Sequence, residues 1–179
     1  LALTFALALD PSPVLAELIT YQTKTIYPGT PSAGARYGIN VAIDDNVMVV
    51  GASQENDGKG AVYVHYMNQG AANNWGQRLK LLPEPGSTKD YFGTAVAIHN
   101  NTIAVGAPGD DDGGQEAGAV YVFEQNEGGP DNWGLVAKLV PSDVISPGIW
   151  TGVRPGDQFG RAVAIHDVML AAGAQGHDK

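Results

Sequence analysis

Cysteine is absent from the 179 residues, and cationic side chains are scarce: ten Lys and Arg stand against nineteen Asp and Glu. Without cysteine there is no disulfide, no thiol nucleophile and no Cys-based zinc site. Small exported domains often lean on disulfides, so this chain must draw its stability from packed sheets. The formal net charge of -9 argues against nucleic acid and anionic membranes, since both need basic patches. Such a balance serves solubility first, and attraction of metal cations second. No P-loop, G-x-S-x-G or H-E-x-x-H motif occurs. Carboxylates are plentiful, but no pair comes with an apolar pocket that would split its pKa values. The sequence therefore offers no enzyme. What it does offer is 24 glycines, 11 prolines and 44% hydrophobic residues, a composition that suggests many short strands joined by tight turns.

Long apolar runs are missing too. "LALTFALAL" at the front is too short to span a bilayer. The segment "DPSPVLAELI" follows, with Val14 and Ala16 ahead of Glu17, and it reads as the tail of a secretory signal cleaved after Ala16. Residues 1–16 are then a signal remnant that lacks its charged start and initiator Met. A buried strand or helix is the alternative reading.

The dominant feature is repetition. Aromatic-Gly pairs stand at Tyr37-Gly38, Phe92-Gly93 and Phe159-Gly160, and Gly-Ala pairs at Gly51, Gly106 and Gly173. Tyr37 to Phe92 and Gly51 to Gly106 are both 55 residues, while Phe92 to Phe159 and Gly106 to Gly173 are both 67. "GAVYV" recurs from Gly60 and Gly118, Trp75 matches Trp133, and Lys80 and Lys138 close their units. Two units are complete, 37–91 and 92–158, and a third, 159–179, stops halfway.

Each unit holds four strand-like pieces, in the second copy near 94–98, 102–107, 117–124 and 135–140. Short polar turns such as "HNN" join the first two, and Asn tolerates the positive φ of a hairpin. "TIAVGA" and "GAVYVF" are nearly continuous apolar runs, which implies sheets covered on both faces. A four-stranded antiparallel sheet covered on each side by copies of itself is a β-propeller blade. Glycine within a strand marks a close approach of backbones, as expected for Gly51, Gly106 and Gly173 where blades converge. The aromatic of each aromatic-Gly pair would wedge between neighbouring blades, and Trp75 and Trp133 read as structural anchors.

Phe92-Gly93, Gly106-Ala107-Pro108 and the run Gly118 to Phe123 resemble the FG-GAP repeat, the blade unit of integrin alpha-subunit propellers and of many bacterial secreted proteins. The resemblance spans roughly residues 37–174. It implies an all-β propeller, commonly of seven blades, used for adhesion or ligand binding and not as a catalyst. Two and a half blades cannot close a ring, which needs at least about four. Residues 17–36 read as the outer strand and linker of a blade whose other strands lie elsewhere. The chain is thus expected to be the leading fragment of a longer protein, with missing C-terminal blades completing the ring.

In metal-binding repeats of that family a calcium loop lies between the FG and GAP words. Here "TAVAIHNNTIAV" leaves no room for one. The acidic run comes later, as "GDDDGGQEAG", where Asp110, Asp112 and Glu116 are candidate calcium ligands because hard cations take six to eight oxygens. The first unit offers only Glu55, Asn56 and Asp57 there. The run therefore reads first as a solvated loop and second as a calcium site, the only cofactor the sequence suggests. His65, His99, His166 and His177 show no shared ligand spacing, and the turn holding His99 and His166 asks only for polarity. The inserted loop 145–153 contains Trp150, a candidate ligand-binding residue because exposed tryptophans on propeller connections make hot spots. Packing of Trp150 onto the blade edge is the competing reading. The sequence points to a non-catalytic, secreted or surface-displayed propeller that binds a protein or glycan partner. Its rivals are the propeller part of a larger exported enzyme and a calcium-stabilised surface module.

Overall fold

Polar two-residue turns punctuate the chain, and each one closes a hairpin. Asp45-Asn46, Asn100-Asn101 and Asp167-Val168 join their strands, and the first residue of each turn has positive φ (48°, 51° and 49°), which Asn and Asp accept more readily than other residues with a β-carbon. The computed structural model describes residues 25–29, 31–69, 74–141 and 155–176. The signal remnant at 1–16, the inserted loop with Trp150, and residues 17–24 of the expected N-terminal strand lie outside these. Residues 25–29 and 31–36 carry no strand.

Two four-stranded antiparallel sheets follow in order. The first is β1 (Tyr37–Asp44), β2 (Val47–Ala52), β3 (Ala61–Tyr66) and β4 (Gly76–Leu81); the second is β5 (Ala95–His99), β6 (Thr102–Ala107), β7 (Ala119–Gln125) and β8 (Trp133–Leu139). A hairpin of β9 (Ala162–His166) and β10 (Met169–Gly173) begins a third. Strands are paired in sequence order, so each sheet is a meander. The strand that opens each blade packs on its counterpart, β1 on β5 and β5 on β9. This is the arrangement of propeller blades, left open. Both complete sheets carry a bulge at the same place, with Arg78 the extra residue opposite Val64 and His65, and Val136 opposite Val122 and Phe123. A bulge of this kind increases the twist of the outer strand. A one-turn element not anticipated from sequence, Glu55–Gly58, follows β2, with Asn56 and Asp57 at positive φ.

The continuous apolar runs have two faces to fill. Val49, Val62 and Val64 of the first sheet meet Val96, Ile98, Ile103, Val105 and Tyr121 of the second in the largest core cluster. The alternate residues Met48, Val50, Ala61 and Tyr63 face the other way, towards Tyr37 and Ile26. The far face of the second sheet, Ala97, Ala104 and Val120, meets Val163, Ile165 and Leu170 of the third hairpin. Alternation is thus present in the geometry and hidden in the sequence, because both sides are buried.

Blades also touch main chain to main chain. Gly60 bridges Phe92, and Gly118 bridges Phe159. A β-carbon on Gly51 would overlap the carbonyl oxygen of Gly93, and one on Gly106 that of Gly160. Only glycine permits that approach. Gly38, Gly93 and Gly160 all sit at φ between 85° and 88°, which sends the chain from one blade into the next. Phe92 is fully buried and meets Tyr121 and Phe123 edge-on, with centroids 5.2 and 6.1 Å away. Trp133 is buried, and its Nε1–H donates to the Tyr66 hydroxyl of the preceding sheet at 2.9 Å. It anchors the second blade to the first.

Candidate functional site

The acidic loop after β6 starts from Asp110, which is 2% exposed. A carboxylate this deep needs a counter-charge. Lys138 in β8 supplies it, with Nζ 2.7 Å from Asp110 Oδ2 and 2.5 Å from Asp112 Oδ2. The Tyr121 hydroxyl donates to Asp110 Oδ2 at 2.8 Å, and Lys138 Nζ lies 5.0 Å from the centre of the Tyr121 ring. Register explains the meeting, since Tyr121 and Lys138 are direct cross-strand partners. Burial alone would lower the Lys138 pKa. Hydrogen bonds to Asp110, Asp112 and Tyr121, with the charge of Asp110, more than offset this and raise it. The Tyr121 phenol is raised too, by burial first and by Asp110 next. Asp90, also buried, accepts the Ser87 backbone N–H at 2.6 Å, and desolvation pushes its carboxyl upward.

The first blade repeats the cluster with one extra methylene. Glu55, 1% exposed, accepts the Tyr63 hydroxyl at 2.7 Å and an ion pair from Lys80. Tyr63 and Lys80 are again cross-strand partners, with Nζ 5.3 Å from the ring centre. Burial, then Glu55, raises the Tyr63 phenol. The acidic position therefore recurs with the blades, as Glu55 and Asp110, each as the partner of a lysine and a tyrosine. The place a cation would take beside Asp110 and Asp112 is held by the Lys138 ammonium. Glu116 is exposed, and its backbone N–H bonds Asp111 Oδ1. The loop does not gather Asp110, Asp112 and Glu116 into one ligand set.

A second cluster lies at the hairpin tips. His99 Nε2 is 3.1 Å from Asp167 Oδ1, His166 Nε2 is 3.7 Å from Asp167 Oδ2, and the two imidazole centroids are 5.0 Å apart. Among the described residues this is the one group of three or more His, Asp or Glu side chains whose ligand atoms all lie within 4.8 Å of one another. Two histidines at equivalent turn positions are its only trace in the sequence, because only blade stacking brings His99 to His166 and Asp167.

A repeat architecture with these words at these places is recognisable across proteins. The family model of the FG-GAP repeat matches residues 21–65 and 75–123, just over half of the chain. The chain belongs to the FG-GAP repeat family. No curated protein matches it. The second FG-GAP match begins beside β4 of one sheet and ends within β7 of the next, so the family unit straddles two blades. Tyr37, Gly38, Phe92, Gly93, Phe159 and Gly160 form the blade entrances, and Gly51, Gly106 and Gly173 sit near the ends of β2, β6 and β10. Trp150 lies outside the described residues. Among the described residues no helix is long and apolar enough to cross a membrane.

Proposed function

We propose that this chain is a non-catalytic segment of an FG-GAP propeller, exported or displayed at a cell surface, that binds a protein or glycan partner through its connecting loops. One observation carries the reading. The facing sides of neighbouring sheets are used up in contact between blades, down to main chain on main chain at Gly51 and Gly106, so at these junctions the turns and connections are the surface left free to vary. Loops on a rigid scaffold are where binding residues concentrate. The buried carboxylates Glu55 and Asp110 are each held by a lysine and a tyrosine, which suits an internal brace and not an acid or base poised to move a proton. The apolar start followed by "DPSPVLA" supports export.

Ring closure by further C-terminal blades belongs to the same reading. Among the described residues nothing covers the face of the β9–β10 hairpin beyond Gly173, and a β-carbon at Gly173 would have Ala162 Cβ, 3.6 Å away, as its nearest neighbour. Packing of another blade there would use Gly173 as Gly51 and Gly106 are used.

The test takes the chain in its full-length context, carrying a fluorescent label, over a printed glycan array and a panel of immobilised matrix proteins. Saturable binding to one class, weakened at least tenfold by Trp150→Ala or by substitutions in the turns, is the expected result. No saturable binding to either panel, or a turnover activity that survives loop substitution, would overturn it.

A further inference from the structure

The hairpin joining the first two strands of each blade reaches to the hairpin of the next. Asp44 accepts the backbone N–H of Asn100, and His99 meets Asp167. These are the same two positions one blade further on. In the first junction the link is a carboxylate on an amide. In the second it is an imidazole on a carboxylate, with a second imidazole, His166, at its side.

That change alters the chemistry of the junction. Two imidazole nitrogens and a carboxylate oxygen are the donors that borderline divalent cations prefer, whereas calcium and magnesium take oxygen alone. A tetrahedral zinc ion with ligands about 2.0–2.2 Å away holds its donor atoms roughly 3.3 Å apart. His99 Nε2 and Asp167 Oδ1 are 3.1 Å apart. His166 Nε2 and Asp167 Oδ2 are 3.7 Å apart. The rings, 5.0 Å between centroids and tilted by 47°, lie side by side without stacking face to face. The His166 and Asp167 side chains are 72% and 68% exposed, so small χ rotations can bring their donors onto one centre.

We propose that His99, His166 and Asp167 form a site for a divalent cation of the zinc class, which joins the second and third blades at their hairpin turns. His99 comes from the end of β5, while His166 and Asp167 come from the end of β9 and the turn that follows it. The ion would therefore cross-link two blades. Three protein ligands leave a fourth position for water or for an oxygen or nitrogen donor of a partner. The site is independent of the carboxylate braces, whose cations are lysines.

Tag-free full-length protein, freed of metal by chelation and dialysed, is titrated with zinc chloride at pH 7.5 by calorimetry, with a parallel calcium chloride titration. One zinc ion per chain is expected at this site with a dissociation constant in the micromolar range or below, and no calcium heat from it. His99→Ala and His166→Ala should each weaken zinc binding at least tenfold and leave the circular dichroism spectrum unchanged. Deuterium exchange adds a readout that does not depend on heat. Zinc should slow exchange across residues 162–173 in the parent protein and not in His166→Ala. Zinc affinity and exchange that match between the parent and the His99→Ala/His166→Ala double variant would overturn the proposal, as would the absence of zinc heat. Neither result bears on glycan or protein binding by the loops.

Discussion

The pentapeptide Ala-Val-Ala-Ile-His occurs twice, as β5 and as β9, in different surroundings. In β5 its first four residues are buried; in β9 none is. The local sequence, the partner strand and the turn are nearly the same, so none of these sets the difference. β5 has the first blade on one side and the third hairpin on the other, while among the described residues β9 has only the second blade, on one side. Burial of an inner blade strand is therefore a property of its neighbours. In repeat architectures stability accumulates at interfaces between units more than within them.

The contrast is open to direct tests. The largest effect is expected at the glycines. Gly106→Ala would force a methyl into the Gly160 carbonyl and part the blades, lowering unfolding free energy by about 4 kcal/mol or more, whereas Gly173→Ala meets only ordinary contact and should shift it by less than about 0.5 kcal/mol. Urea denaturation of the two variants beside the parent measures both. Equal losses would mean that the Gly173 face is already covered.

Next comes the buried brace. Lys138→Met strands Asp110 without a counter-charge and should cost about 3–5 kcal/mol, while Lys138→Met with Asp110→Leu, an apolar pair, should recover most of it. Failure of the double variant to recover in thermal melts would show that the brace contributes through something other than charge pairing.

A third test compares the two complete blades. Where the second blade has Phe92 against Phe123, the first has Tyr37 and His65, joined by a 2.9 Å hydrogen bond between the hydroxyl and Nε2. His65 is fully buried, its Nδ1 has no hydrogen-bond partner, and desolvation lowers its pKa from 6.5 to about 4. The Tyr37 phenol is pushed up to about 12 by the same burial. Because the folded pKa of His65 lies below the unfolded one, the unfolded chain binds the proton more readily. Stability is fully present above about pH 6.5 and falls as the pH drops towards 4, by on the order of 2–3 kcal/mol at pH 4.5. The pH dependence of urea midpoints reads this out. Tyr37→Phe with His65→Phe should remove the histidine's share of the slope, and an unaltered slope would refute the assignment.

The smallest effect returns to the shared pentapeptide. Ile98→Ala should cost about 2–3 kcal/mol and Ile165→Ala about 1 kcal/mol, because Ile98 is buried between the first two sheets whereas Ile165 is only half-buried against the second. Equal costs by denaturant titration would again point to a cover over the third hairpin.

Much of the fold could be read from the residues. Apolar runs bounded by Asp-Asn and Asn-Asn turns place the inner strands to within a residue or two, and the strand glycines mark where blades touch. β7 begins at Ala119, later than its apolar run, because Gly118 is spent on the bridge to Phe159. The carboxylate brace was half visible. Lys80 and Lys138 stood out as landmarks, but the second blade has three more residues than the first between its Gly-Ala pair and its "GAVYV". Those extra residues come after the acid, however: Glu55 and Asp110 each stand four residues beyond the glycine of their Gly-Ala pair, so the shared position could be read, and only its meeting with the cross-strand Tyr and Lys could not. The His99–His166–Asp167 cluster was not legible, since its members meet only through the stacking of one blade on the next.

The phase of the FG-GAP match has a consequence for how such chains change length. Because the second match runs from beside β4 of one blade into β7 of the next, duplicating or losing it adds or removes four strands, one blade's worth, and leaves the seam between sheets at the same place in the repeat. Each new copy arrives already stitched by peptide bonds to both its predecessor and its successor, so the lineage can lengthen without ever passing through an unlinked intermediate.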